Sequence, residues 1–205
     1  EAVESALGQD IDPANLEILV VDDGSTDDSA RRIAPYLDRV RWLSKSNGGA
    51  VSAFNLGVRE ARGEFLAILE SDDVWDPPKL SRCLARFAES PDSWMLQHWL
   101  RFVDREGREL PGYDYPDHPR SVTMDEILDR RLPYTPLSGA LFRLDKIAPH
   151  TPFPERFFYG TDICLRMVCA LQAPVAVLPE ALGSRRMHGS NLFGETVYDH
   201  AVKLE

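Results

Sequence analysis

Two acidic pairs follow strand-like apolar runs in the first half of the chain. Asp22 and Asp23 come after residues 16–21, and Asp72 and Asp73 come at the end of a run that starts at residue 65. Asp beside Gly or Ser is also ordinary turn and helix-cap chemistry, so the first pair alone leaves both interpretations open. Carboxylates gathered at one place repel each other, and a bound cation or donor-rich ligand offsets that cost. The two pairs together therefore favour a binding site.

The elements that position these carboxylates follow from the hydrophobic pattern. Short apolar runs rich in β-branched residues, each followed by a helical pattern, indicate buried parallel strands. Open α/β sheets bind ligands at the C-terminal edge of such strands. We therefore expect both acidic pairs to lie on one edge of one sheet. The alternation of helices and strands up to about residue 70 predicts an α/β fold.

Two further segments of the sequence are predicted to begin helices. The segment 47–49 introduces a helix with Val51, Phe54 and Val58 on one face. Thr161 is expected to cap a second helix, which holds Leu165, Val168 and Leu171. The chain after residue 104 is less regular, and we expect it to carry recognition of a partner or second substrate.

Composition restricts the class of protein. A 205-residue chain with 43% hydrophobic residues supplies one globular core and does not require a second domain. The formal charge of −10, without any basic block, argues against nucleic acid or an anionic membrane surface as the main partner. No apolar stretch approaches the roughly 20 residues that a membrane-spanning helix needs. We expect no transmembrane segment, and peripheral membrane association stays open.

The start of the chain and its cysteines give two further expectations. Val3, Ala6 and Leu7 have helical spacing, so we expect the chain to open inside a helix, with a strand upstream of it. The three cysteines lack the CxxC spacing of a zinc site, and their odd number argues against a disulfide framework. They are expected to be reduced core residues of a cytoplasmic protein.

Read together, several segments resemble the family 2 glycosyltransferases of GT-A fold. The matching segments are 17–29, 47–49 with Asn55 and Gly57, 69–73 with Trp75 and Pro77, 160–162 with Arg166, and 186–190. This resemblance implies a Rossmann-like α/β fold with a mixed central sheet flanked by helices, its first strand missing from this sequence. It also implies one domain over 1–205, with residues 1–104 binding the donor and 105–205 binding the acceptor.

The resemblance implies an activity as well. The expected reaction is metal-dependent, inverting transfer of a sugar from a nucleotide-diphospho-sugar, of the UDP type, to an acceptor hydroxyl. The expected acceptor is a glycan or a lipid-linked molecule, in the synthesis of surface polysaccharide or another glycan. The expected location is the cytoplasm, including the cytoplasmic face of a membrane.

Roles for individual residues carry over by position. Asp162 matches the general base, and Asp23 matches the residue that contacts the nucleobase. Asp72 and Asp73 fall on the metal motif for Mn²⁺ or Mg²⁺, and His188 matches a late histidine that contacts the metal or a phosphate. Glu70 occupies the place usually held by the first Asp of that motif. The other expected substrate contacts are Asp22, Lys45, Asn47, Asp72 and Arg186.

Three alternatives deserve comparison. A module that binds nucleotide sugars without catalysis would keep the fold, and Glu70 would mark the place where its catalytic site has been lost. A phosphoacceptor receiver domain also opens on an acidic pair such as Asp22 and Asp23, but no lysine in a suitable context follows between Lys79 and Lys146. A sugar-nucleotide pyrophosphorylase would need a Gly-rich loop with Arg before a Pro, which is not visible in the N-terminal part of this sequence.

Overall fold

A computed structural model of the chain describes residues 1–111, 121–123, 125–126, 135–156 and 160–188. Within these residues it contains six α-helices and eight β-strands. The helices are α1 (Ala2–Leu7), α2 (Ser29–Ile33), α3 (Ala50–Glu60), α4 (Lys79–Ala88), α5 (Leu144–Ile147) and α6 (Thr161–Gln172). The strands are β1 (Leu19–Asp22), β2 (Arg41–Ser44), β3 (Phe65–Ala67), β4 (Val74–Trp75), β5 (Met95–Val103), β6 (Ser121–Val122), β7 (Ala140–Arg143) and β8 (Val175–Arg186).

The strands form two sheets. Strands β1 and β2 pair in parallel as a two-stranded sheet. The larger sheet has the order β3-β7-β5-β8-β4, with β6 also paired to β8. It is mixed, because β5 and β8 are parallel whereas the other pairs are antiparallel. The predicted mixed sheet with flanking helices is confirmed.

The expectation that both acidic pairs lie on one edge of one sheet is wrong. β1 ends at Asp22 in the small sheet, whereas β3 belongs to the large sheet and pairs antiparallel with β7. The cause is a strand from the second half of the chain, β7, which the local pattern around residue 65 does not reveal. Asp72 and Asp73 also lie beyond the strand itself, on a turn in which the Asp73 amide donates to the Glu70 carbonyl at 3.1 Å.

Helices cover both faces of the large sheet. Successive residues of a strand point to opposite faces, so Met95 packs in the core with α3 and α6 while Leu96 packs against α4. Val51 and Val58 of α3 are buried, as predicted. Cys83 and Cys169 are buried, Cys164 is half-buried, and all three are free thiols, as expected.

The apolar residues of helix α6 do not all lie on one buried face. Leu165 is fully buried, but Leu171 is 64% exposed. Six residues at about 100° each place Leu171 about 120° away from Leu165 around the helix, so the two side chains do not share a face. The buried neighbours of Leu165 are Cys169 and Ala170 instead. Among the described residues, no helix is both long and apolar enough to cross a membrane.

Candidate functional site

Two loops leave the small sheet side by side. We call them the glycine loops, residues 23–26 after β1 and 45–49 after β2. Since β1 and β2 are parallel neighbours, their following loops start from the same edge. Gly24 has a φ of +79°, and a Cβ atom there would lie only 2.6 Å from the Asn47 backbone nitrogen. Only glycine allows this approach of the two backbones.

Asp23 ties the glycine loops together. Its carboxylate accepts hydrogen bonds from Lys45 Nζ at 2.6 Å, the Gly48 amide at 3.0 Å and the Gly49 amide at 2.7 Å. Although burial acts to raise it, these bonds hold the pKa of Asp23 below its usual range. The anion also lies at the N-terminus of α3, where the helix dipole favours negative charge.

Asp22 and Asn47 differ from Asp23 in exposure. Asp22 is buried, and its oxygens accept bonds from the Ser25 amide at 2.9 Å and Ser44 Oγ at 3.0 Å. The bonds with Ser25 are the main reason that the pKa of Asp22 is lowered. Asp22 thus shapes the turn, whereas Asn47 is exposed beside Gly24. A substrate contact by either residue stays a prediction.

A second group, the acidic cluster, consists of Glu70, Asp72, Asp73 and Asp162. At its edge, His188 Nε2 lies 3.1 Å from Asp72 Oδ2. Both side chains are partly exposed, 24% for His188 and 32% for Asp72. The predicted metal residues Asp72 and His188 are therefore in contact, in a position that a ligand can reach.

Asp73 lies beneath this pair. It is 1% exposed, and its Oδ1 accepts the Arg186 amide at 3.0 Å. Its buried Oδ2 has no hydrogen-bond partner among the described residues. Burial raises the pKa of Asp73 to about 6. An ordered carboxylate oxygen with unused acceptor capacity is suited to a cation or to a hydrogen-bond donor.

The carboxylate of Glu70 lies among several charged side chains. Desolvation by the surrounding protein raises the pKa of Glu70 to about 7, helped by repulsion from Asp73, Asp72 and Asp162 and opposed by Arg185, although the residue as a whole is exposed. The charge of Asp162 therefore acts at the same place as the predicted metal residues. The Glu70 amide donates to Ser138 Oγ at 3.0 Å. Ser138 lies 68 residues further along the chain, and no sequence signal identified it.

Asp162 is the second residue of α6. Gly160 precedes the helix with a φ of +100°, a conformation that favours glycine. Thr161 is the first helical residue and not the cap, and its buried Oγ1 has no partner among the described residues. The expected Thr161 cap is thus wrong, because Gly160 already turns the chain into the helix. Asp162 is half-buried in the first turn.

The predicted basic contacts have partners within the protein. Lys45 bonds Asp23, as described above. The Arg186 guanidinium donates to the Asp72 carbonyl at 3.2 Å, the Arg105 carbonyl at 2.9 Å and Glu1 Oε2 at 2.5 Å. Arg186 thus holds the backbone beside the acidic cluster, and a direct substrate contact by it stays a prediction.

The residues fit a cation site that a substrate completes. Among the described residues, no three His, Cys, Asp or Glu side chains converge as a ready-made metal site. Asp72 and His188 form a pair. Mg²⁺ is commonly held by one or two carboxylates together with substrate phosphates, and an imidazole ligand moves the preference toward Mn²⁺. The donor set therefore suits Mn²⁺ or Mg²⁺ bound together with a phosphorylated ligand.

Helix α3 lies between the two groups of residues. It begins directly after the glycine loops, and it packs against both β1 and α6. The structure thus connects Asp23 and Asp162 through one helix, although they belong to different halves of the chain.

Comparison with known proteins identifies the family. Residues 1–148 match the profile of glycosyl transferase family 2. An uncharacterized glycosyltransferase of Nostoc sp. is 31% identical over 200 residues, covering 93% of this chain and 61% of that protein. A chondroitin synthase of Escherichia coli is 38% identical over 122 residues, covering 58% of this chain and 18% of that protein. The chain thus spans less than two thirds of the length of these relatives.

Solved structures agree on the fold. Residues 1–349 of S. aureus TarS in complex with UDP superpose with a TM-score of 0.75 at 22% identity, covering 98% of this chain and 64% of that one. The same protein in complex with UDP-GlcNAc gives 0.75 at 23% identity, covering 93% and 55%. The expected GT-A type of α/β fold is confirmed, and the receiver-domain alternative is excluded. The chain belongs to glycosyl transferase family 2.

Proposed function

We propose that this protein transfers a sugar from a UDP-sugar to an acceptor hydroxyl by direct displacement, with inversion at the anomeric carbon. One observation carries the proposal: His188 Nε2 lies 3.1 Å from Asp72 Oδ2, where a ligand can reach both side chains, at the edge of the acidic cluster that also contains Asp162, the expected base. A base and a diphosphate-binding pair in one cluster are the two parts that a displacement at a sugar phosphate needs.

The nucleobase binds at the glycine loops in this proposal. Asp23 Oδ1 accepts bonds from Lys45 and Gly48, whereas Oδ2 accepts a bond from Gly49. A carboxylate has about four acceptor positions, so Oδ2 retains one for the imide N–H of uracil. Cytosine lacks this N–H and would leave the position unused, which favours UDP-sugars over CDP-sugars.

The diphosphate binds at the acidic cluster. Asp72 and His188 would hold a Mn²⁺ or Mg²⁺ ion together with the phosphates of the donor, with Asp73 beneath them. When bound, such a cation neutralises the charge that develops on the leaving diphosphate. Arg185, which already acts on Glu70 and Asp73, adds positive charge beside them.

Asp162 takes the proton of the acceptor hydroxyl as that oxygen attacks the sugar. A base within hydrogen-bond reach typically contributes about 10²–10⁴-fold to the rate. The acceptor is a glycan or a lipid-linked molecule, which agrees with the chondroitin synthase of Escherichia coli and the hyaluronan synthase of Pasteurella multocida among the relatives.

Release of UDP tests the proposal. Purified protein is mixed with UDP-glucose, UDP-galactose or UDP-GlcNAc, with Mn²⁺ and without acceptor. Slow UDP release from at least one donor, abolished by a chelator, supports a transferase that uses water in place of its acceptor. Tight binding of UDP with no release from any donor would instead indicate a nucleotide-sugar-binding module without catalysis.

A further inference from the structure

Asn55 of α3 makes a paired contact with a residue 98 positions away. Its Nδ2 donates to the Phe153 carbonyl at 2.9 Å, and its Oδ1 accepts the Phe153 amide at 2.8 Å. The side-chain amide of Asn55 thus makes hydrogen bonds with both the backbone N–H and the backbone C=O of Phe153. The ring of Phe54 stacks on that of Phe153, with centroids 5.6 Å apart and planes 11° from parallel.

Phe153 lies inside the core that joins α3 to α6. It is 7% exposed and belongs to the same hydrophobic cluster as Val51 of α3 and Leu165 of α6. Phe153 also precedes α6 along the chain. Its position therefore limits where the first turn of α6, with Asp162, can lie.

The N-terminus of α3 is tied to the glycine loops. Asp23 bonds the amides of Gly48 and Gly49, which directly precede α3. Six residues separate Gly49 from Asn55, a rise of about 9 Å along a helix. One short rigid helix thus holds the proposed nucleobase residue at its start and the Phe153 contact within two turns.

We infer that Asn55 is a positioning residue, which sets the place of Asp162 relative to the donor held at Asp23. This inference rests on the proposed function. Asn55 touches neither substrate, and it acts through Phe153 and the packing of α6. Since about 1 Å of misplacement can cost about 10²-fold in rate, loss of this contact affects turnover more than donor binding.

A double-mutant cycle tests the inference on the full chain, with UDP release from the donor that the wild type hydrolyses fastest. Asn55→Ala is expected to lower kcat by about 10- to 100-fold, while the Kd for UDP changes by less than about twofold. In an Asp162→Asn background the same change has no further effect on kcat, because the group that it positions is gone. Asn55→Asp is a second variant with the same expected pattern: it keeps the acceptor for the Phe153 amide but places a carboxylate oxygen against the Phe153 carbonyl.

A control variant and a second readout complete the test. Arg59→Ala, on the exposed face of α3 where Arg59 contacts Glu60, should leave kcat unchanged. Amide hydrogen exchange of residues 161–165 should be faster in Asn55→Ala, independently of any activity. Equal losses of kcat in both backgrounds, or an unchanged kcat, would overturn the inference. If no donor is hydrolysed, the proposed function fails, and unchanged exchange in α6 would then overturn the inference separately.

Discussion

His188 Nε2 lies 3.1 Å from Asp72 Oδ2, although 116 residues separate the two in sequence. The pairing of β4 with β8 explains this contact. The strands are antiparallel with Val74 opposite Ser184, so the residues just before β4 lie beside those at the end of β8. The bond from the Arg186 amide to Asp73 Oδ1 continues the same pairing.

This contact gives a prediction about metal-dependent binding. Asp72→Ala should weaken UDP binding in the presence of Mn²⁺ about tenfold or more, about 1.4 kcal/mol, and leave metal-free binding nearly unchanged. His188→Ala should reduce the preference for Mn²⁺ over Mg²⁺, because it removes a nitrogen ligand. Isothermal titration calorimetry measures both effects. His150→Ala, at an exposed histidine outside the cluster, is the control. Equal metal dependence in wild type and Asp72→Ala would contradict the assignment.

Asp162→Asn separates catalysis from binding. We expect the rate of UDP release to fall by about 10²–10⁴-fold, with UDP affinity nearly intact, because the variant keeps the side-chain shape and loses the proton acceptor. Asp145→Asn provides a matched control, since Asp145 also lies in the first turn of a helix and is exposed. Unchanged turnover in Asp162→Asn would remove the base from its proposed role.

The sequence predicted the class of fold and most of the residues that the acidic cluster brings together. Local signals were sufficient for α3, whose apolar spacing matches its buried face. They failed where contacts between distant parts of the chain determine the structure. Strand β7 pairs with β3, and Ser138 accepts the Glu70 amide although 68 residues separate the two. Likewise, Gly160 and not Thr161 is the N-cap of α6, because a positive φ turns the chain there.

The buried Asp73 predicts a dependence of stability on pH. Its folded pKa of about 6 lies above its ordinary value of 3.8, so the folded state binds the proton more tightly than the unfolded chain does. The resulting stabilisation is present below about pH 4 and is lost as the pH rises through about 6. The shift corresponds to about 3 kcal/mol.

The Asp73→Asn variant should not lose stability over this pH range. Its side-chain Oδ1 still accepts the Arg186 amide, and the amide group has no proton to release. Urea unfolding at several pH values without divalent cation gives the free energy of unfolding of both proteins. The free energy of unfolding of the variant, minus that of the wild type, should increase from pH 4 to pH 7. A difference that does not change over this range would contradict the prediction.

Lys79 predicts an effect on stability away from the site. It is fully buried, its Nζ has no hydrogen-bond partner among the described residues, and it lies 3.7 Å from the centroid of the Trp75 ring. Burial lowers the pKa of Lys79 to about 8, so the charged form destabilises the fold at pH 7. Lys79→Met should raise the free energy of unfolding there by about 1 kcal/mol, because relief of about 3 kcal/mol exceeds the lost cation–π contact of about 2 kcal/mol.

The size of this effect should change with pH. As the pH rises from about 8 toward 10.5, the unfolded chain also releases the proton, so the advantage of Lys79→Met should shrink. Urea unfolding at pH 7 and pH 9.5 measures it, with Lys146→Met, at a half-buried position where Nζ lies 3.4 Å from Asp145, as control. A variant less stable than wild type at pH 7 would show that the cation–π contact outweighs the burial of charge.

The position of a bound manganese ion tests the central claim most directly. A crystal grown with UDP and Mn²⁺ should give an anomalous difference peak in contact with Asp72, His188 and the diphosphate, with uracil at Asp23. Ordered UDP at another surface, or a diphosphate bound without any peak at Asp72 and His188, would contradict the proposed site.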